Sequence, residues 1–160
     1  MHKKRFTVIF LSLIWLSFSF SEASNGMIFS NPLKACTFSE MNLSITLNGK
    51  PAAGAKVIRL VDWKTESVDT FMADDSGKVH LPAKFESSIT QVLPVEFVSS
   101  QVINVQYMDQ TYKIWVYAKR NPKENSELAG KSFSLTCELL DNPKTERAFN
   151  SLLKTSCKFI

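Results

Sequence analysis

Three cysteines, one histidine beyond position 2 and a few clustered carboxylates are the groups in this chain that could do chemistry. Cys36, Cys137 and Cys157 cannot all pair within one monomer. Cys137 ends the alternating run Ser132-Phe133-Ser134-Leu135-Thr136, and Cys157 lies close to the C-terminus. A Cys137–Cys157 bridge would tie down a segment that otherwise frays, and closing a loop of about 20 residues is worth roughly 3 kcal/mol in the chain-entropy account. That is the favoured pairing, with Cys36 unpaired; Cys36 bonded to either of the others, or three free thiols, are the alternatives. There is no CxxC spacing, so metal ligation is not indicated. A Ser or Cys nucleophile needs a nearby base. His80 is the one histidine available, and beside Val79 and Leu81 a structural or solvated role is the simpler reading. Asp74 and Asp75 could act as paired carboxylates or hold calcium, but Asp-Asp-Ser-Gly reads more simply as a tight turn that ends at Gly77. No Gly-rich phosphate loop, HExxH or EF-hand pattern is present. No catalytic, cofactor-binding or metal-ligating residue is therefore assigned, and the chain reads as a non-enzyme that needs no cofactor.

What remains is recognition. Trp63 and Trp115 are candidate anchors for a protein partner or platforms for sugar rings, weighed against filling the core. The loop Glu124-Asn125-Ser126-Glu127 carries two carboxylates, and loops on a rigid scaffold often bind. Glu124 and Glu127 are thus candidate partner-binding residues, weighed against a solvated connection.

The N-terminus decides where such a module would work. His2-Lys3-Lys4-Arg5 is basic, Phe6 to Phe20 is apolar and uncharged, and Ser21-Glu22-Ala23 places small residues at −3 and −1 of a cut after Ala23. This is the tripartite secretory signal pattern, and its apolar run is shorter than the roughly 20 residues a membrane span needs. The expected organisation is a signal peptide over 1–23, a β-sandwich domain over 24–140 and a C-terminal helix with a disulfide-tied tail over 141–160. The exported protein would be periplasmic or secreted, without a membrane span. The formal charge of +4 comes from 19 basic and 15 acidic residues. Removing Lys3, Lys4 and Arg5 leaves 16 basic residues, and removing Glu22 leaves 14 acidic ones. The remaining chain is nearly neutral, so its charge gives no argument for nucleic acid or anionic lipid.

The elements that must position these residues follow from periodicity. Residues 24–35 read as an irregular lead-in. Leu43, Ile45 and Leu47 alternate on one face of a strand, which Asn48-Gly49-Lys50-Pro51 turns. Ala55 to Trp63 is a β-rich run with Val57 and Val61 on one face and Ile58 and Leu60 on the other, as in a central strand. Ser67 to Ala73 and Lys78 to Leu81 are further strands, and residues 82–100 are less regular. Gln101–Tyr107 and Thr111–Ala118 read as a hairpin, with Tyr112, Ile114 and Val116 alternating against Trp115 and Tyr117. Phe133, Leu135, Cys137 and Leu139 share the face of a last strand. Asn142 and Pro143 can start a short helix that places Ala148, Phe149, Leu152 and Leu153 on one side. About seven short strands and a C-terminal helix predict an all-β antiparallel sandwich.

Asn48-Gly49-Lys50-Pro51-Ala52-Ala53-Gly54-Ala55-Lys56-Val57, followed by Asp74-Asp75-Ser76-Gly77-Lys78-Val79, resembles the carboxypeptidase-regulatory-like domains. The resemblance covers roughly residues 40–85 and implies a transthyretin-like (prealbumin-like) sandwich, a fold that hosts many functions. Leu93-Pro94-Val95-Glu96-Phe97-Val98, Ile114-Trp115, Glu124-Asn125-Ser126-Glu127-Leu128 and Leu135-Thr136-Cys137-Glu138-Leu139 resemble a family of small exported bacterial proteins. That likeness implies a compartment and a fold, and no activity. The transthyretin-like purine-pathway hydrolase needs several His and Arg residues and a terminal Tyr-Arg-Gly-Ser, whereas this chain ends Cys157-Lys158-Phe159-Ile160. The expected function is an exported non-enzymatic module that binds a protein partner in the periplasm or envelope. The alternatives are an immunity protein that neutralises a periplasm-delivered toxin, or a carbohydrate-binding envelope module.

Overall fold

The computed structural model describes residues 33–89, 96–147 and 152–160. The signal peptide expected over 1–23 lies outside them. The described residues are all-β and form a sandwich of two main sheets with a small third sheet at its side. In chain order the strands are β1 (Lys34–Phe38), β2 (Met41–Leu47), β3 (Lys50–Pro51), β4 (Lys56–Trp63), β5 (Thr65–Met72), β6 (Lys78–Leu81) and β7 (Lys84–Ser87). They continue as β8 (Ser99–Tyr107), β9 (Gln110–Lys119), β10 (Phe133–Glu138), β11 (Lys144–Glu146), β12 (Leu153–Thr155) and β13 (Cys157–Phe159). One main sheet has the order β11-β12-β9-β8-β4-β5, antiparallel throughout. The other has the order β13-β10-β2, with β3 and β6 both pairing β2. Its β2–β10 pairing is parallel. β1 and β7 form the small sheet.

The period-two patterns explain the core. Leu43 and Ile45 of β2, Val79 and Leu81 of β6 and Leu135 of β10 face Val57 and Val61 of β4 and Ile103 and Val105 of β8 across the interior. Trp115 sits near the centre, 1% exposed, with its ring 5.8 Å from Phe133 and 6.2 Å from Tyr117. Such aromatic contacts add about 0.5–1.5 kcal/mol each beyond area burial. Arg59 is also buried on the inner face. Its guanidinium lies over the rings of Phe38 and Phe71 and bonds Asp69 Oδ2 at 2.6 and 3.1 Å and the Pro82 carbonyl at 2.5 Å.

Two turns set the strand register, each through a carboxylate. Asp74 Oδ1 accepts from Ser76 N, Ser76 Oγ and Lys78 N. The Ser76 hydroxyl, then the backbone amides, hold its pKa below the usual carboxylate range. Glu138 accepts from Thr46 Oγ1, Asn48 N, Gly49 N and Leu140 N, so the last residue of β10 caps the β2–β3 turn. Partial burial raises its pKa, but these hydrogen bonds outweigh it and the net shift is downward. Gly77 has φ +74, and a Cβ there would lie 2.4 Å from the Ile45 carbonyl oxygen. Both its conformation and that close approach of two backbones require glycine.

The Cys137–Cys157 disulfide is present, between residues directly opposite in the β10–β13 ladder. Cys36 is free and buried. Three local expectations are corrected. The expected C-terminal helix does not form where the chain is described: Lys144–Glu146 and Leu153–Thr155 are strands, and residues 148–151 lie outside the described set. Pairing to β9 wins over the Asn142-Pro143 start signal, because Leu153 thereby enters the core. The lead-in ends in a strand, β1, and the irregular stretch begins with another, β7. Finally, the strict alternation in β9 is broken: the register shifts between Ile103 and Asn104, so Ile114 and Trp115 are both buried and Val116 turns outward. An inserted residue does this in a β-bulge.

Candidate functional site

The four candidate recognition residues do not share a surface. Trp115 is in the core, and Trp63, 7% exposed, packs on Phe97 with ring centres 5.3 Å apart. Neither ring is an open platform for a sugar or a protein hot spot. Glu124 is exposed, as expected, but Glu127 is 1% exposed. The loop reading therefore fails at Glu127, whose carboxylate turns inward.

The reason is Lys119. It continues the inward phase of β9 after Trp115 and Tyr117, which leaves its ammonium fully buried. A buried ammonium persists only when paired and hydrogen-bonded. A short 3-10 helix, Ser126–Leu128, follows Asn125 in left-handed conformation and delivers Glu127 to it. Lys119 Nζ lies 2.5 Å from Glu127 Oε2 and 3.1 Å from Ser39 Oγ. Glu127 accepts four bonds: Oε1 from Ser39 N and Gln101 Nε2, Oε2 from Ser39 Oγ and Lys119 Nζ. Gln101 also donates to the Thr37 carbonyl and accepts from Trp115 Nε1. Ser39 Oγ accepts from Asn125 N. The cluster thus joins the end of β1, strands β8 and β9, and the loop before β10. Every lone pair of the carboxylate is used, so it is built to hold the fold rather than to transfer protons. Cys36 Sγ stands 3.6 Å from Ser39 Oγ at its edge. Burial pushes that thiol up, against the opposing pull of Lys119, which makes it a poor nucleophile.

His80 is exposed and meets Asn42 Oδ1 at 2.9 Å and Glu40 at 4.0 Å. It has no nucleophile beside it among the described contacts. Among the described residues no three His, Cys, Asp or Glu side chains converge as a metal site would require.

The two outer faces of the sandwich differ sharply. On the sheet built around β2, the outward residues are Asn42, Ser44, Thr46, Ser134, Thr136, Glu138, Lys78, His80 and Lys158, paired in register across the strands. That face is mostly polar, with Pro51 beside Thr46 and the exposed Ile160 beside Ser134 as its apolar residues. On the six-stranded sheet, Val68, Leu60, Val102 and Val116 stand side by side on β5, β4, β8 and β9, each the direct cross-strand neighbour of the next. Ile58 and Met72 extend this row on the same face, and Val68 and Met72 are 56% and 60% exposed. Lys154 of β12, opposite Val116, ends the row. Along the strands the charges separate: Lys56 and Lys113 lie to one side of the row, and Asp62 and Glu66, directly opposite each other, lie to the other. Sequence reasoning placed Ile58 and Leu60 on a second face of β4 and Val116 opposite Trp115 and Tyr117, but not the row, because the cross-strand register that aligns these residues carries no local signal.

Residues 41–142, from β2 to the loop after β10, match the family described as Domain of unknown function (DUF6795). No curated protein and no solved structure matches the chain. The match covers more than half of the chain and contains the whole apolar row, and the protein belongs to the DUF6795 family.

Proposed function

We propose that this protein is an exported, non-enzymatic binding module that recognises a protein surface in the periplasm or envelope through the outer face of its six-stranded sheet. The observation that carries the reading is the four-strand apolar row Val68–Leu60–Val102–Val116 on a solvent-facing surface. A contiguous apolar patch rimmed by charge marks an interaction site more often than chance exposure does. The contrast with the hydroxyl-rich opposite face strengthens this, since both faces belong to one small domain and face the same solvent. The basic start and short apolar run of residues 1–23 support export. The motifs at 48–57 and 74–79 support grouping the sandwich with transthyretin-like domains.

The test is capture from an envelope extract with the purified protein and its Leu60→Glu variant. The reading predicts a protein retained by the parent and lost by the variant, with circular dichroism unchanged because Leu60 faces outward. Equal retention by both, or turnover of a substrate by the purified protein, contradicts it.

A further inference from the structure

We infer that the partner enters this face as an extended segment that adds a strand to the β5 edge of the six-stranded sheet, antiparallel to β5. The inference rests on the binding-face reading above and names the chemistry of the partner. β5 is the last strand on its side of the sheet and pairs with β4 alone. Ala73 N, just past β5, donates to the Ala55 carbonyl at 2.9 Å, which fixes the phase of the ladder. Antiparallel pairs alternate, so Val57–Phe71, Arg59–Asp69 and Val61–Ser67 exchange hydrogen bonds, and the N–H and C=O groups of Glu66, Val68, Thr70 and Met72 point away from β4. None of these backbone groups has a hydrogen-bond partner among the described residues. Donors and acceptors that repeat every ~6.8 Å along a straight edge are matched by another extended backbone. The same residues carry the exposed, outward side chains of β5, so an added strand sets its own outward side chains beside them and lengthens the apolar row past Val68.

Edges that must stay unpaired are guarded by short length, Pro, Lys, a bulge or an inward charge. β5 has eight residues, no Pro or Lys, and no register shift against β4. The other edge strands β3, β6, β7, β11 and β13 have two to four residues each, and β1 is buried. The inward charge of β5, Asp69, is already held by Arg59 and Lys84 at 2.6 and 3.4 Å, so an incoming strand does not strand it. Glu66 stands directly beside Asp62, a like-charge cross-strand pair that is unfavourable in isolation. Among the described residues neither carboxylate has an ion-pair partner. A basic residue of the incoming strand opposite Glu66 supplies one; β5 holds no Lys or Arg, so a second β5 does not. The segment recognised therefore alternates, with apolar residues opposite Met72 and Val68 and Lys or Arg opposite Glu66.

The test is fluorescence anisotropy of the full chain, expressed and purified as the cell processes it, with a labelled, end-capped peptide of about eight residues. In the peptide Val alternates with Thr, and the last Val position is Lys. Saturable binding is expected. N-methylation of the Val and Lys amides, which face β5, should weaken it at least about tenfold, whereas N-methylation of the Thr amides, which face away, should not. Thr70→Pro removes an N–H from the open edge and spares the β4 ladder, so it should weaken binding as much with circular dichroism unchanged. Glu66→Lys should reverse the preference, toward a peptide with Glu in place of Lys, an outcome that damage to the fold cannot produce. No binding, equal effects of the two methylated sets, or a Thr70→Pro protein that binds like the parent overturns the inference. A concentration-dependent dimer that Thr70→Pro dissociates assigns the edge to a second copy and overturns it too. If Leu60→Glu loses the captured envelope protein while Thr70→Pro retains it, the edge is wrong and the binding face stands. If both variants retain it, both fall.

Discussion

Glu127→Gln is the perturbation that separates a buried lock from a binding loop. The change keeps the shape of the side chain and removes its charge. The Lys119 ammonium is then left buried, with its nearest carboxylate gone. Breaking a buried pair by removing one partner costs about 3–5 kcal/mol. The amide also carries N–H groups where the carboxylate accepted from Ser39 Oγ and Lys119 Nζ, so at least one former acceptor position becomes a donor facing donors. For a domain of this size each kcal/mol lowers Tm by about 3–5 °C, so the variant should melt roughly 10–20 °C below the parent. The assay is thermal and urea unfolding followed by circular dichroism, with the double variant Lys119→Met/Glu127→Gln alongside. Removing the ammonium as well should recover most of the loss, because an uncharged pair of similar volume carries no unpaired charge. A loss below about 1 kcal/mol for the single variant, the value of an exposed ion pair, would refute the reasoning. So would a double variant less stable than the single one.

Gly77→Val should destabilise far more than His80→Ala: the first forces a Cβ to within 2.4 Å of the Ile45 carbonyl oxygen at φ +74, while the second removes an exposed ring; equal losses in thermal melts would contradict this. Cys157→Ala opens a loop of sequence separation 20 and should cost about 3 kcal/mol, read from urea midpoints of the oxidised parent and the variant. Asp69, Asp74 and Glu138 all have pKa values lowered in the folded state. Their contribution is complete above the ordinary carboxylate range and is lost as pH falls through the lowered values, so stability should drop below about pH 4, and less steeply in Glu138→Gln. A parent as stable at pH 3 as at pH 7 would contradict this.

Much of the sandwich was legible because one face of each strand is buried. Leu43 and Ile45, Val57 and Val61, and Phe133 and Leu135 all alternate as the core requires, and Asp74 to Gly77 makes the expected turn. What stayed hidden depends on long-range contact. β1 has no clean alternation, since four of its five residues are buried. The parallel β2–β10 pairing joins segments about 90 residues apart and leaves no mark in either. The C-terminal segment carries a valid helix start, yet sheet pairing decides its structure. At the site, Glu127 is legible only as a candidate partner-binding residue of the loop, and nothing local in the sequence singles out Lys119. The available signal was phase: Lys119 falls on the same face of β9 as Trp115 and Tyr117, and a lysine at an inward position implies a carboxylate elsewhere. The same phase accounts for Trp115, a candidate partner anchor by its residue type that the structure buries in the core.

The central claim is that the outer face of the six-stranded sheet is a protein-binding surface, and site-specific photo-crosslinking in intact cells tests it most directly. A photoreactive residue at Val102, in the middle of the apolar row, should give discrete protein adducts, whereas the same residue at Thr136, on the polar face of the opposite sheet, should give none. No adduct from Val102, or adducts of equal yield from both positions, would contradict the account.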